Sequence, residues 1–575
     1  MKWIALPIVV VGAALALAAL LLPGGDTASS ALAGYESLRK AQAGLPETIA
    51  GLEQLAARDG AVGWEARILA ARAHAAAGRF AEAATFLRRA LDLRATTALR
   101  TELGTMLEAA GLRAEAKAEW ESLLPKSEAV LAMMRLEPDA VRLATLLVGA
   151  GRYADALPLV TPPATDAARL ARARALAGLG TSSEAASEFA RYLEKRSGEA
   201  AVRVEYGRAV ERAGDSEGAL QIYRSVGAAG AYREGLLLES LGRISDAAGA
   251  YERSSDSEAR WRAARLLESL GNAEGALKIY EALAPGTHRV HDDAALRATL
   301  LLRDAGHADR AAGLADELPA AFEWILGSYV PTKRSASTSG AVSPSVAGAL
   351  RVADALVQRG DAEWAASELD FALTAADTAG RIAVGEWFAT HNDPRRAFQI
   401  GSELLPKDAS RAVAKLAYPR AYWANVERWA STYGVDPYLI LAVIREESNY
   451  LPTAVSSSNA GGLMQLLPST AKWIAESKCK LRYTDDLSFD PDANIRMGTW
   501  YLSYLTGLYD GDVVRAVAAY NGGNGNVDRW TAAAKVTRRA DVPGALGSIE
   551  TREYLVKVLN SWLIYRELYA SNPTS

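Results

Sequence analysis

Across residues 35–410 apolar side chains recur at helical spacing, and one pattern returns again and again. A helix ends in a small residue, a glycine follows, and a short turn leads into a second amphipathic helix with alanine near its start. It reads Ala77-Gly78-Arg79-Phe80-Ala81-Glu82-Ala83, then Ala110-Gly111-Leu112-Arg113-Ala114-Glu115-Ala116, then Ala150-Gly151-Arg152-Tyr153-Ala154-Asp155-Ala156. Further copies centre on Gly180, Gly214, Gly242, Gly271, Gly306 and Gly360, and a last one carries Asn392 where glycine would stand. Most neighbours lie 28 to 40 residues apart. Glycine after a helix supplies the left-handed cap that turns the chain back. Alanine early in the next helix lets the pair approach closely. Each pair keeps one face it cannot bury alone, so the pairs are expected to stack into a superhelix. The stretch Ser328–Gly348, rich in Ser, Thr and Pro, predicts a loop or linker that interrupts the array.

The pattern changes near residue 420. Aromatic residues thicken from Tyr418 through Trp423 and Trp429, and Asp436-Pro437 reads as an N-cap followed by the first helical position. The helix predicted over Pro437–Glu447 is apolar nearly all round, which is the mark of a buried helix. It ends in Arg445-Glu446-Glu447-Ser448. Glu447 continues the stripe of Ile440, Val443 and Ile444, and it sits at the negative end of the helix dipole. Both surroundings disfavour a carboxylate anion and raise its pKa, as a general acid near neutral pH requires. Glu446, about 100° round the same helix, is the local rival.

Lys2 precedes an apolar run from Trp3 to Leu22, long enough to span a bilayer and also close to a long secretory segment. Ala31-Leu32-Ala33 has the form of a cleavage site. Residues 1–33 are therefore expected to be a signal peptide or an N-terminal membrane anchor, and either sends the remainder across a membrane. The chain of 575 residues is too long for one core. Its net charge of -4 gives no footprint for nucleic acid. Cys479 is the lone cysteine, and none of the five histidines lies beyond His391. The last third thus has no histidine base, and Ser-His-Asp or Cys-His catalysis is excluded there.

From Glu447 the chain continues Glu447-Ser448, Tyr450, Pro452, Ser456, Ala460, then Gly462-Leu463-Met464-Gln465 and Pro468, Thr470, Ala471. Asp492-Ala493-Asn494-Ile495 with Gly498 and Tyr501-Leu502 follows, then Ala518-Ala519-Tyr520-Asn521-Gly522-Gly523, and finally Glu550-Thr551-Arg552-Glu553-Tyr554-Leu555. Four motifs in this order resemble the soluble, superhelical lytic transglycosylases. Leu451, Asn459 and Gly523 depart from the family's usual residues, and none of them is the acid. The repeats ahead of the motifs resemble the tetratricopeptide class in degenerate form, which also fits that family. The resemblance implies an all-α fold: a TPR-like superhelix over 35–415, then a goose-type-lysozyme-like, mainly helical catalytic domain over 420–575.

The resemblance further implies a peptidoglycan lytic transglycosylase. Glu447 would be the catalytic acid and base, cleaving the β-1,4 bond between N-acetylmuramic acid and N-acetylglucosamine to leave a 1,6-anhydro end. Ser456, Gln465 and Tyr520 are expected to bind sugar in the cleft, and Met464 and Leu467 to form its apolar wall. Glu550 and Tyr554 are expected to hold the acetamido group or the acid's surroundings. Asn521 is a candidate binding residue whose alternative is a cap, and Arg552 is expected to pair with a carboxylate. No metal or organic cofactor is implied. Peptidoglycan strands are the expected partner, with cell-wall synthesis or division proteins as candidate partners of the repeats. The cell envelope is the expected location. Among Glu476, Asp485, Asp486, Asp490, Asp492 and Glu550, only Glu550 stands in a family motif as a candidate second carboxylate. Two alternatives stay open: a muramidase in which water attacks, and a non-catalytic scaffold that binds glycan.

Overall fold

The computed structural model describes residues 27–43, 49–124, 126–194, 196, 198–286, 289–315, 318–331, 334–335 and 340–570. The apolar run Trp3–Leu22 lies outside them, and Ala31-Leu32-Ala33 falls within the helix Thr27–Ala43. No helix among the described residues is long and apolar enough to cross a membrane. These residues form helices joined by short turns and no strands, with two isolated bridges at Val455–Gly461 and Gly461–Leu466. The all-α expectation is met.

The repeat turns form as their glycines predict. Gly78, Gly111, Gly151, Gly180, Gly214, Gly242, Gly271, Gly306 and Gly360 all have positive φ, and Asn392 takes the same conformation at φ 60°. The residue after the glycine reaches back to a carbonyl five positions earlier, as in Arg79 N to His74 O at 2.9 Å and Leu112 N to Leu107 O at 3.0 Å. Within the pairs a second regularity emerges. Tyr223 donates its hydroxyl to Glu211 at 2.6 Å, Tyr251 to Glu239 at 2.7 Å, and Tyr280 to Glu268 at 3.3 Å, each spanning twelve residues. The rings of Tyr223 and Tyr251 lie on Gly207 and Gly235, where a Cβ would meet them at 2.5 and 2.4 Å. A small residue on one helix therefore makes room for a tyrosine on the next, and a glutamate satisfies the buried hydroxyl.

The chain divides into two compact units. One comprises the residues up to Ala229 together with Ala341–Gly380. Here the helix Ala362–Ala375 meets the first helices: Tyr35 donates to Glu368 at 2.9 Å, and Arg94 pairs with Asp370 at 2.5 Å. The helix Pro344–Gln358 starts at its proline, with Ser343 as N-cap, so the irregular stretch expected to reach Gly348 ends at Ser343.

The second unit joins Gly230–Gly340 to Arg381–Ser575. Its hydrophobic core is continuous from repeat residues Leu296, Leu300 and Phe322 to Leu555, Val558 and Trp562 of the 21-residue helix Ile549–Tyr569. Polar bolts cross the same seam. Arg552 is 2% exposed, donates to Asp293 at 2.8 Å, and stacks at 3.7 Å on the centre of the Trp261 ring. The expected carboxylate partner of Arg552 thus comes from the repeat helix His291–Asp304. Removing one partner of such a buried pair costs about 3–5 kcal/mol. The helix Pro437–Ser448 is buried as its composition predicts, with Leu439 through Ile444 no more than 3% exposed. Asp436 caps it by accepting from Tyr438 N at 2.8 Å.

Candidate active site

Glu447 lies in the last turn of the Pro437–Ser448 helix, half-buried. Burial pushes its carboxyl pKa up to about 7, and the charges of Glu446 and Glu550 add to the rise. The Tyr554 hydroxyl opposes the rise by stabilising the anion. Glu446 is differently placed. It pairs with Arg445, accepts from Ser561 Oγ at 2.6 Å, and belongs to the scaffold. Of the two neighbours, Glu447 is the one left without a cation or a closed hydrogen bond among the described residues, and it is the one held partly protonated near neutral pH.

The chain leaves the helix through Asn449 and Tyr450, both at positive φ, and the buried Tyr450 packs its ring on Phe398 and shares a hydroxyl hydrogen bond with Tyr565. The loop that follows is tied to itself. Ser456 Oγ accepts from Ala460 N at 3.0 Å, and Gln465 Nε2 donates to Gly462 O at 2.8 Å and Ala454 O at 3.0 Å. Gln465 holds φ 46°, a conformation that costs on the order of 1 kcal/mol for a non-glycine residue. The loop is clamped from below by Asn494, which is 0% exposed. Asn494 accepts from Met464 N at 2.8 Å and donates to Ser488 O at 2.9 Å and Gly461 O at 3.1 Å. Two glycines make this approach possible. A Cβ at Gly462 would lie 2.0 Å from Ser488 O, and one at Gly498 would lie 2.3 Å from Met464 Sδ.

Two tyrosines complete the surroundings of the acid. Tyr520 comes from the helix Val513–Gly522 and donates to Met464 O at 2.9 Å. Tyr554, one turn into the helix Ile549–Tyr569, has a buried hydroxyl with no closed hydrogen bond. Burial and the nearby Glu447 carboxylate raise both phenols well above their ordinary pKa, so both stay protonated. Glu550 is exposed on the turn before Tyr554, and Asn521 accepts from Thr551 Oγ1 at 2.9 Å. From Tyr520 a run of rings leads outward: Tyr501 at 5.5 Å between centroids, Tyr504 at 6.3 Å from Tyr501, then Trp500 and Trp473.

Residues 424–542 match the model of the transglycosylase SLT domain. This segment of the chain is thus similar to the transglycosylase SLT domain. It is 34% identical over 199 residues to the membrane-bound lytic murein transglycosylase C of Edwardsiella ictaluri, a match covering 30% of this chain and 52% of that protein. The chain thus spans about half the length of this curated relative. The crystal structure of the 70 kDa soluble lytic transglycosylase of Escherichia coli superposes with TM-score 0.60 at 16% identity, covering 94% of this chain and 92% of that one. An inactive Glu-to-Gln mutant of lytic transglycosylase Slt from Pseudomonas aeruginosa superposes with TM-score 0.54 at 21% identity, over 98% and 95%. At those identities the likeness establishes the shared fold, which extends through both the repeats and the SLT domain.

The expected site residues are placed in different ways, and Glu550 and Tyr554 lie beyond the matched segment. Glu447, Tyr520, Tyr554 and Glu550 converge electrostatically. Ser456, Gln465 and Asn521 already spend polar atoms on holding loops and turns. Leu467 is 45% exposed immediately before the helix Pro468–Trp473. Met464 differs from the expected apolar wall: its side chain is 0% exposed and packed against Gly498, and its carbonyl accepts from Tyr520. Of the candidate second carboxylates, Asp492 is taken up by Asn425 and the Trp429 indole, and Asp490 caps a helix. Sequence reasoning missed Asn494 as the organiser of the loop. Its signal was present: an amide inside an apolar helical stretch, four residues before a glycine.

Proposed function

We propose that this protein is a peptidoglycan lytic transglycosylase of the cell envelope, with residues 420–575 as its catalytic domain and 35–415 as its repeat domain. The observation that carries the reading is Glu447, a carboxyl raised to about 7 by burial, beside two protonated tyrosines. At neutral pH such a group is present in both its protonated and its ionised form, and can act as acid and then as base. Glu447 gives its proton to the glycosidic oxygen between N-acetylmuramic acid and N-acetylglucosamine, and the C1–oxygen bond breaks. The substrate's acetamido oxygen stabilises the cationic C1. Glu447, now ionised, takes the proton of the C6 hydroxyl, and O6 bonds to C1. The product carries a 1,6-anhydro ring, and no water is consumed. An internal hydroxyl competes well with water when it is held close and solvent is kept away.

Supporting roles follow from position. Tyr554 is a free buried donor for the acid or the acetamido group. Tyr520 fixes Met464 O, and the outward run of rings from it offers apolar faces to sugar C–H groups. The proposed catalytic domain from Arg420 onward holds 16 basic and 16 acidic residues, so shape and hydrogen bonding, rather than a net field, must select the glycan. A second reading has one observation in its favour. The Glu550 charge reaches Glu447, and a second carboxylate at the cleft could direct water and make the enzyme a muramidase. Mass spectrometry of digested peptidoglycan decides between them. Anhydro ends are expected, and reducing ends would replace this reading with the hydrolytic one.

A further inference from the structure

A concavity away from Glu447 lies in the same compact unit. It has a volume of about 610 Å³ and is walled by repeat helices Ser257–Ser269 and His291–Asp304 on one side and residues 530–547 on the other. None of the groups that act on Glu447 lines it. Five basic side chains face it, Arg262, Arg265, Arg297, Lys535 and Arg538, against the acidic Glu239, Glu268, Asp304 and Asp541. Most of these charges are spent on one another. Arg297 binds Glu268 and reaches Asp541 at 2.8 Å, Arg538 holds Asp304 at 2.9 Å and Asp541 at 2.8 Å, and Arg262 holds Glu258 at 3.2 Å.

Arg265 and the exposed Lys535 are the exceptions, and Arg265 is the one set into the wall. It has no carboxylate partner among the described residues. Its guanidinium lies 4.9 Å from the Trp261 ring centre and gives one hydrogen bond, from Nη2 to Ala545 O at 3.3 Å. Burial, aided by the nearby charges of Arg552 and Arg262, holds its pKa down to about 10, so a negative group beside it would be stabilised. A guanidinium fork matches a carboxylate in two hydrogen bonds.

We propose that this cavity binds a peptide by its terminal carboxylate, with Arg265 as the anchor. The volume suits an organic ligand rather than a lone ion. The near balance of charge in the lining suits a ligand with a single uncompensated negative group, not a polyanion. Leu266, Leu301, Trp530 and Val536 supply apolar wall for side chains. Ala545 and Gly547, which also line it, lead directly into the helix that carries Glu550 and Tyr554, so an occupant would abut the support of the active site.

The test is a ligand-observed NMR titration of the full chain in the Glu447→Gln background, so that binding is read independently of catalysis. The probes are alanyl-alanine, its C-terminal amide, and inorganic phosphate. Saturable binding of the acid form is expected, with the amide at least tenfold weaker. Arg265→Gln is expected to weaken the acid form at least tenfold, and Arg265→Lys, which keeps the charge and loses the fork, by less. Hydrogen exchange of the unsubstituted chain should show peptide-dependent protection over 257–269 and 530–547, a readout that stands even if the Arg265 variants fail to fold. Absence of saturable binding, equal binding of acid and amide, protection confined to other segments, or phosphate binding as tightly as the dipeptide would each overturn the proposal.

Discussion

In the repeat helix Ser216–Ser225 a buried tyrosine hydroxyl finds its glutamate twelve residues earlier, on the adjoining helix. In the SLT domain the half-buried carboxyl of Glu447 is faced by Tyr520 and Tyr554, from two helices far along the chain, and neither closes a hydrogen bond on it. The first arrangement is local, repeated and satisfied. The second is assembled from distant segments and left incomplete. A carboxyl held above its ordinary pKa costs stability near neutral pH, and such groups cluster at functional sites. The difference also separates what substitutions will do in the two regions.

The sharpest test of that difference is Glu447→Gln. It removes the titrating proton and keeps the shape, so cleavage of purified peptidoglycan should fall by about a thousandfold or more, with the helical circular-dichroism signal unchanged. Retained cleavage would erase the distinction between the two regions. Next in size is Asn494→Ala, which strands Met464 N, Gly461 O and Ser488 O beneath the loop. A loss of about 3 kcal/mol in denaturant unfolding is expected, together with weakened cleavage, because the loop carrying Gln465 loses its clamp.

The pH dependence has a definite sign. The folded state holds the Glu447 proton up to about 7, whereas the unfolded carboxyl releases it near its ordinary value of 4.5. Between those values the folded state binds more protons, so the native chain loses stability as pH rises through that window. Relative to wild type, Glu447→Gln should therefore gain about 2 kcal/mol on going from pH 4 to pH 8, by 1.36 kcal/mol per pK unit less screening. An unchanged difference across that range would mean the acid ionises as it does in water. In the wild type, the acid-limited step should decline above about pH 7.

The smallest effects belong to the repeats. Tyr223→Phe removes the bond to Glu211 and should cost about 1–2 kcal/mol without altering cleavage. Gly111→Ala, at φ 75°, should cost about 1 kcal/mol, and Gly111→Asn less, since Asn392 already holds such a turn. Thermal melts of the pair suffice to check it.

The repeats were legible because their information is periodic. A glycine at each turn and alanines at each contact return every few dozen residues, and each copy needs only its neighbour. The buried helix Pro437–Ser448 was legible for a related reason, since a stretch apolar on every face has only one place to go. The site was legible in part. Glu447 was singled out by its stripe and by the motif it opens, with Glu446 as the local rival, and in the structure Arg445 and Ser561 occupy Glu446. Met464 was misread. Loop residues do not announce which way they face, and the close contact with Gly498 turned its side chain inward.

Taken alone, the order of residues determined the helical repeats and the capped interior helix. Both follow from local propensity and from the period of apolar positions. Tertiary structure alone decided that repeat helices 257–326 share a core with the last helix, that Arg552 finds Asp293, and that Tyr520, Tyr554 and Glu550 converge on Glu447. Those outcomes rest on contacts between groups hundreds or tens of residues apart. Their energies come from burial and electrostatics that do not exist until the chain has closed around them.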